Sequence, residues 1–527
     1  MRIVSSAEMR NLDHLAEKEY LIDANILMEN AGRAAVGILF EKYPDAGHSS
    51  EILVFAGKGN NAGDAFVVAR RLLCLERKVR VFHLFPESSY QGSARRNFEI
   101  LKNMKARMTH LERPADLEDF FKNSSNRYLV VDGILGTGLK GDLQGIFYDV
   151  VEIINKYVHD IVALDIPSGV DGDTGAIRGT SIQATLTVSF GFPKLGHFLP
   201  PGAGKRGELV NVDISLLPQF RREGDKFLLM KNPMRDLLVD RDRYGHKNAF
   251  GHTLLIGGSP GRLGALNMSA KACHKMGTGL VTAATWQDTM EALLFRLSDE
   301  TMAIPVPLQV SEIERFKTEL QHYDSIVIGP GLGTRKEGKD LFVNLFKVYN
   351  GPVVIDADGL NIIAEYGLFD LLRARKAPTV LTPHPGEMAR LLKKPKEEIL
   401  AQPVESLKAA VELTHSIVLL KGAATLIASV DDVTYLNHYP NDGMATAGSG
   451  DVLAGMIGGL LGQKMDPFQA TLLGVYLHSL AGDFASKQCG HRSMTAPDII
   501  ENIGNAFKDL KEKKEPSFPE EGKAYLL

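Results

Sequence analysis

The sequence predicts two consecutive α/β domains, each a parallel sheet covered by helices on both faces. Three observations predict this. The chain has 527 residues, more than a single hydrophobic core serves. Short β-branched apolar runs recur along both halves, each ending in Gly, Asp or Pro, with helix-length segments between several of them. Continuous apolar strands alternating with helices mark a sheet buried on both sides. The series is broken once, by the charged and irregular stretch PQFRREGDKFLLMKNPMRDLLVDRDRYGHKN. That break sets a boundary near residues 216–235, with domains expected over 1–220 and 228–510.

The first strand series is EILVFAG from Glu51, VRVFHLF from Val79, YLVVDG from Tyr128, IVALDIPSG from Ile161, TLTVSFG from Thr185 and ELVNVDI ending at Ile214. Upstream, Ser5 and Glu8 fit a capping box, and Met9, Leu12 and Leu15 share a helix face. The second series is HTLLIGGSPG, TGLVTAAT, SIVIGPGLG, PVVIDADGLN, TVLTPHPGE and IVLLKGAATLI. A glycine-containing apolar helix follows Asp451. The tail over 511–527 is charged and proline-containing, and a frayed end is expected there.

Composition narrows the function classes. Hydrophobic residues make up 44% of the chain, and 60 basic residues nearly balance 64 acidic ones for a net charge of −4. That balance gives no footprint for nucleic acid. Three cysteines, Cys74, Cys273 and Cys489, are widely spaced with no CxxC, which argues against a disulfide framework or a thiolate zinc site. The charged N-terminus does not read as a signal peptide, and the longest apolar stretch, near Val452 to Leu461, is too short to span a bilayer. A soluble cytoplasmic protein with no membrane partner is expected.

In a doubly wound sheet, ligands sit beyond the carboxyl ends of the strands, and the first domain places its polar residues there. GKGNNAGDA, Gly57 to Ala65, follows a strand and opens a helix. Its glycines admit a ligand to the backbone, the helix start favours anions, and Asn60, Asn61 and Asp64 offer directed hydrogen bonds. VDGILGTGLKGDL ends a strand at Asp132, and LDIPSGVDGDTG ends another at Asp165 before a sharp Pro167–Ser168–Gly169 turn. Any one of these acids alone is as well explained as a turn cap. Three acid-plus-glycine elements at one sheet edge point to a site.

In the second domain, GGSPG and GPGLG leave bare backbone after strands, and DADGLN places Asp356, Asp358 and Asn361 after a third. LTPHPGE holds His384 between two prolines, with Glu387 near a helix start. KGAATLI, Lys421 to Ile427, turns between two strands, as a phosphate or ribose contact or as a plain hairpin. In NDGMATAGSGDVLAGMIGGLLG, Val452, Leu453, Met456, Ile457, Leu460 and Leu461 keep helical spacing behind Asp451. A helix start with free N–H groups beside a lone carboxylate supplies what phosphoryl transfer needs: donors for phosphate charge and a base for the attacking hydroxyl. The structural alternative is a tight turn with a capping aspartate.

Taken with FGFPKLGHFLPPGA, the first-domain motifs resemble the epimerase domain of the NAD(P)H-hydrate repair enzymes, over about residues 1–215. The family pattern nearer GNNGGDG has Ala62 and Ala65 in place of two glycines here. Glycine turn, acid and helix resemble the anion hole of ribokinase-like kinases. With HPGE and KGAAT, the closer resemblance is to the dehydratase domain of the same family, over about 230–505. The resemblance implies an N-terminal Rossmann-like three-layer α/β/α domain and a C-terminal ribokinase-like α/β/α domain.

It also implies residue roles. Asn60, Asn61, Ala62, Gly63, Asp64, Gly136, Thr137, Gly138, Leu139, Lys140, Gly141 and Asp142 would line the hydrated nucleotide, with Asp165 the acid at the reacting centre. Asn61, Asp132 and Ser168 would hold a potassium ion (K+). Ala265, Gly331, His384 and Asp451 would face the hydrate in the dehydratase. There Asp451 would deprotonate the C6 hydroxyl for attack on the terminal phosphate. Lys421, Gly422, Ala423, Ala424, Thr425 and Gly450 would hold ADP or ATP, with Mg2+ as counter-ion. The substrates implied are NADHX and NADPHX, the assembly a homo-oligomer, and ADP the expected nucleotide. The competing readings are a ribokinase-like small-molecule kinase, which would release a phosphorylated alcohol, and a non-catalytic nucleotide-binding regulator, indifferent to loss of Asp451.

Overall fold

The computed structural model describes residues 1–139, 141–307, 316, 318–512 and 525–526. It divides into two compact units, one over Arg2–Gly224 with the C-terminal residues and the other over Asp225–Glu515 with Met1.

The first unit is built on β1 (Ile52–Ala56), β2 (Val79–His83), β3 (Arg107–His110), β4 (Leu129–Gly133), β5 (Asp160–Leu164), β6 (Leu186–Phe190) and β7 (Glu208–Val212). The order is β7-β6-β5-β4-β1-β2-β3, all parallel. Strand alternation feeds two cores. Ile52, Val54, Val131, Val162 and Leu164 pack into one, and Leu53, Phe55, Val130, Ile161 and Ala163 into the other. Side chains of successive residues point to opposite faces, so both faces need a helical layer. The order in which strands join the sheet reverses between β1 and β4, and this switch point opens a crevice between their following loops.

The second unit carries β8 (Lys226–Leu228), β9 (His252–Ile256), β10 (Leu280–Trp286), β11 (Met302–Val306), β12 (Ser325–Ile328), β13 (Val353–Ile355), β14 (Thr379–Leu381), β15 (Ile417–Leu420), β16 (Ala424–Ala428) and β17 (Thr434–His438). Their order is β11-β10-β9-β12-β13-β14-β15-β16-β17-β8. The strands from β11 to β15 are parallel, and β16 is antiparallel to both its neighbours. The switch point here lies between β9 and β12.

Four strands lie outside the apolar runs of the sequence. β3 and β11 are edge strands; β3 alternates between exposed and half-buried residues, and β11 is buried only at Val306. β17 pairs with β8, and β8 falls inside the stretch that reads as an irregular linker. Two residues of the tail, Tyr525–Leu526, pair antiparallel with β7; residues 513–524 and 527 lie outside the described residues.

The helix Ser449–Gly462 is the packing centre of the second unit, and all six apolar positions named for it are buried. Its glycines let neighbours approach: a Cβ on Gly455 would stand 2.1 Å from the Ser269 carbonyl oxygen, and one on Gly458 would stand 2.2 Å from Val327 Cγ2. Gly455→Ala therefore sets a gain of about 1 kcal/mol in helix propensity against overpacking of about 1–3 kcal/mol. The obstacle is backbone and cannot swing aside, so packing wins. A lower melting temperature is expected, and an unchanged or raised one would refute the account.

Candidate active sites

In the first unit a cavity of about 470 Å³ opens at the switch point. Its wall takes Asn60, Asn61 and Asp64 from the first turn of the helix Asn60–Cys74, and Gly136, Thr137 and Gly138 from the loop after β4. Asp165, Lys194 and the N-terminal helix Ser6–Tyr20, through Asp13, complete it. That helix starts with the expected capping box between Ser5 and Glu8. Ala62, Gly63, Leu139, Gly141 and Asp142 do not line the cavity. Lys140 lies outside the described residues. Ala62 and Ala65 are fully buried in a helix that needs no positive φ at either position, so their methyl groups cost the loop no backbone freedom.

Asp165 follows β5 with φ +62°, a left-handed conformation uncommon for a non-glycine residue and best tolerated by Asp and Asn. Its neighbours hold it there. Its Oδ1 accepts from Lys194 Nζ and, at 3.2 Å, from the Phe190 N–H. Lys194 is wholly buried and also donates to the Phe190 carbonyl at 3.1 Å. The Lys194 N–H donates to His197 Nδ1 at 3.0 Å, so Nε2 carries the imidazole proton and donates to the Asp165 carbonyl at 2.9 Å. Burial, with Lys194 and Arg206 adding, keeps the His197 pKa well below its ordinary value; the ring is neutral.

Behind the wall, Asp132 ends β4 with no exposed surface. Its Oδ1 accepts from Ser168 Oγ (2.6 Å) and Ile134 N (3.1 Å), and its Oδ2 from Ser168 N (2.8 Å). Burial raises its carboxyl to about 6 despite these bonds. Asn61 Nδ2 donates to the Leu135 carbonyl at 3.0 Å, which leaves Asn61 Oδ1 buried without a partner. Asn61, Asp132 and Ser168 thus meet around Leu135, and an orphaned buried oxygen there fits a hard cation such as K+.

In the second unit the loops after β9, β12 and β13 interlock. The Gly258 N–H donates to the Pro330 carbonyl at 2.9 Å, and Ser259 Oγ to the Gly331 carbonyl at 2.8 Å. Gly331 has φ +62°, and a Cβ there would stand 2.4 Å from the Arg262 carbonyl and 3.2 Å from Ala265 Cβ. Asp358 joins two of these loops, accepting from the Gly333 N–H at 2.8 Å and from Arg262 at 3.2 Å.

Asp451 lies in the first turn of Ser449–Gly462, whose start no side chain caps. Beside it, a Cβ on Gly450 would stand 3.1 Å from Lys421 Nζ. Lys421 Nζ lies 2.7 Å from Asp356 Oδ1 and 4.0 Å from Glu387 Oε2. Burial opposes the Lys421 charge, but Asp356 and Glu387 outweigh it, and its pKa is raised. Asp451 is pushed up to about 7, chiefly by burial, then by Asp356 and against Lys421.

His384 caps the helix Pro385–Leu392: its Nδ1 accepts from the Gly386 and Glu387 N–H groups, and Glu387 returns a bond to the His384 N–H at 2.8 Å. Burial and Lys421 lower its pKa. Nε2 therefore carries a proton, and on a half-exposed ring it lies 3.4 Å from Glu387 Oε1. The stretch Lys421–Ala423 is the turn of the β15–β16 hairpin, with Gly422 and Ala423 exposed, Ala424 buried and Thr425 half-buried.

Family models match within both units. The family model described as NAD(P)H-hydrate dehydratase matches residues 253–505, and that described as YjeF-related protein N-terminus matches residues 24–196. A bifunctional NAD(P)H-hydrate repair enzyme of Moorella thermoacetica is 40% identical over 528 residues, covering 98% of each chain. The chain belongs to the bifunctional NAD(P)H-hydrate repair enzymes. A second such relative, from Thermofilum pendens, is 35% identical with 97% of each chain covered. The solved structure of the ADP/ATP-dependent NAD(P)H-hydrate dehydratase from Bacillus subtilis, co-crystallized with ATP/Mg2+, is 26% identical. That match covers 54% of this chain and 98% of that one, with a TM-score of 0.47.

A repair enzyme of this family joins an epimerase to a dehydratase, and each unit carries one acid-bearing candidate site. Three site residues escape the sequence reading. Lys194 lies in the quoted FGFPKLGHFL stretch, but its burial is a tertiary fact. His197 shares that stretch. Asp13 sits on a helix that reads only as amphipathic; the one signal is an acid one position from buried Leu12. Among the described residues, no group of three His, Cys, Asp or Glu could hold a metal, and no helix is long and apolar enough to cross a membrane.

Proposed function

We propose that the domain over residues 1–220 interconverts the R and S epimers of NADHX and NADPHX. The domain over 228–510 then dehydrates the S epimer at the expense of ADP, or of ATP, releasing phosphate. The observation that carries this is the pair of acids, Asp165 beside a buried ammonium in a cavity and Asp451 at an uncapped helix start beside Lys421.

In the epimerase, Asp165 takes the hydroxyl proton, with Asn60, Asn61, Asp64 and Gly136–Gly138 against the nucleotide. Ala62, Gly63, Leu139, Lys140, Gly141 and Asp142 belong to the same two segments. Asn61, Asp132 and Ser168 would hold K+, which would supply positive charge for the nucleotide's phosphates. In the dehydratase, Asp451 takes the C6 hydroxyl proton as that oxygen attacks the terminal phosphate. Gly450 and Lys421–Thr425 face the nucleotide, and Lys421 and the helix N–H groups meet the charge that grows on phosphate. His384 Nε2 and the Ala265–Gly331 contact orient the hydrate. Mg2+ would accompany the nucleotide as its counter-ion. A cytoplasmic location and a homo-oligomeric state belong to the same reading; molar mass in solution tests the latter.

The test is the return of dihydronicotinamide absorbance from an epimer mixture of NADHX with Mg2+, K+ and either nucleotide. The intact chain is expected to recover the whole pool. Asp165→Asn, in which Asn keeps the left-handed backbone, is expected to stop at the S fraction plus slow spontaneous epimerisation, an epimerase loss of about 10²–10⁴-fold. No recovery with either nucleotide would sink the proposal.

A further inference from the structure

Epimerisation at C6 asks for more proton transfer than one carboxylate gives. If the hydrate inverts by opening and reclosing its ring, one group takes the proton of the C6 hydroxyl. The O–H electron pair becomes the second C–O bond of an aldehyde, and the C6–N1 pair moves to nitrogen. A second group must then protonate N1. Rotation about the adjacent C–C bond presents the other aldehyde face. On closure N1 attacks it, the second group recovers its proton from nitrogen, and the first returns its proton to oxygen. Nothing is oxidised or reduced, and both groups end as they began.

Of the four carboxylates on the cavity wall, Glu17 is exposed to solvent, and Asp13, Asp64 and Asp165 stand against the one buried ammonium of Lys194. Asp165 is committed to Lys194 and the Phe190 N–H. Asp13 is different: its Oδ1 is buried, has no hydrogen-bond partner, and belongs to a residue on the cavity wall. An unpartnered buried carboxyl oxygen costs about 1–3 kcal/mol and is kept where something else meets it.

We propose that Asp13 is the second proton-transfer residue of the epimerase, protonating N1 while Asp165 takes the hydroxyl proton. This rests on the epimerase reading above. Asp13 projects from the helix Ser6–Tyr20, so it reaches the nucleotide from a different element than Asp165. The charged and titratable groups around it on the cavity wall are Asp64, Asp165, Lys194, and, on its own helix, Arg10, His14 and Glu17, with Lys58 beyond. Burial raises the Asp13 carboxyl to about 6, against Lys194 and with Asp165 adding to the rise. Asp64 is raised well above the ordinary value, by burial first and then by Asp165 and Asp13. Two of the three acids therefore resist ionisation beside a third that has a counter-ion, the division of labour expected of an acid and a base sharing one site.

The test uses the full-length chain and two substrates, the R epimer for the epimerase and the S epimer for the dehydratase. Asp13→Asn is expected to lower epimerase kcat by about 10²-fold at unchanged KM, with dehydration of the S epimer untouched. In the intact chain, epimerase kcat/KM should fall as pH rises through about 6, because the acid loses its proton. That limb should vanish in Asp13→Asn and return in Asp13→Glu with part of the rate.

Epimerase activity retained in Asp13→Asn would overturn the proposal, as would a loss that leaves the limb in place. Asp165→Asn run in parallel separates the two claims. If it is inactive while Asp13→Asn is active, only the role of Asp13 falls; if both are fully active, the reading of the cavity falls with it.

Discussion

Asp451→Asn is expected to abolish dehydration while epimerisation continues. The substitution keeps size and hydrogen-bonding reach and removes only the ability to accept a proton, which for a general base costs about 10²–10⁴-fold. The donors at the helix start remain, so nucleotide binding should persist and the loss should fall on kcat. Single-turnover recovery of dihydronicotinamide from the S epimer reads this directly. Retained turnover would remove Asp451 from the proton transfer and favour the regulator reading. Accumulation of a phosphorylated alcohol by the intact chain would favour the kinase.

The same carboxylate sets a pH dependence whose sign follows from its surroundings. Asp451 is raised to about 7, chiefly by burial and then by Asp356, with Lys421 opposing and Asp358 and Glu387 adding to the rise. A base works only when ionised. Dehydratase kcat/KM should therefore be level above about pH 7 and fall about tenfold per unit below it. Lys421→Met removes the one cation that opposes the rise and leaves Asp356 and Glu387 without their neighbour. The limb should then move to higher pH. A limb that stays in place would mean that a group other than Asp451 takes the proton.

The place of Asp451 at a helix start was legible because local order sufficed. A glycine turn, an acid and an apolar helix adjoin in sequence, and the helix does form over Ser449–Gly462 with its apolar positions buried. The strands were legible for the same reason where they are central, since a strand buried on both faces must be continuously apolar. β3 and β11 are edges and carry polar residues or a proline, so tertiary pairing overrides a weak local signal. β8 is a strand only because β17 lies beside it. Lys194 and His197 are the clearest limit. Lysine is almost never fully buried unless paired, and the pairing partner is Asp165, far off in sequence. No periodicity carries that information.

That pairing supports a prediction about stability as well as activity. Lys194→Met keeps the length and apolar bulk of the side chain but deletes the ammonium. The Asp165 carboxylate, 15% exposed, then loses its counter-charge, and the Phe190 carbonyl loses a donor. Removing one partner of a buried pair costs about 3–5 kcal/mol because the other charge is left uncompensated. The epimerase unit should melt at a markedly lower temperature, and epimerisation should be lost.

The double variant Lys194→Met/Asp165→Asn separates charge from packing. Asparagine accepts the left-handed backbone at this position and carries no charge to strand. Much of the lost stability should therefore return, while activity does not, giving a large coupling energy between the two sites. Equal losses in the single and double variants would show that Lys194 acts by filling space. Recovery of stability without activity would show that this buried ion pair is kept for the reaction rather than for the fold.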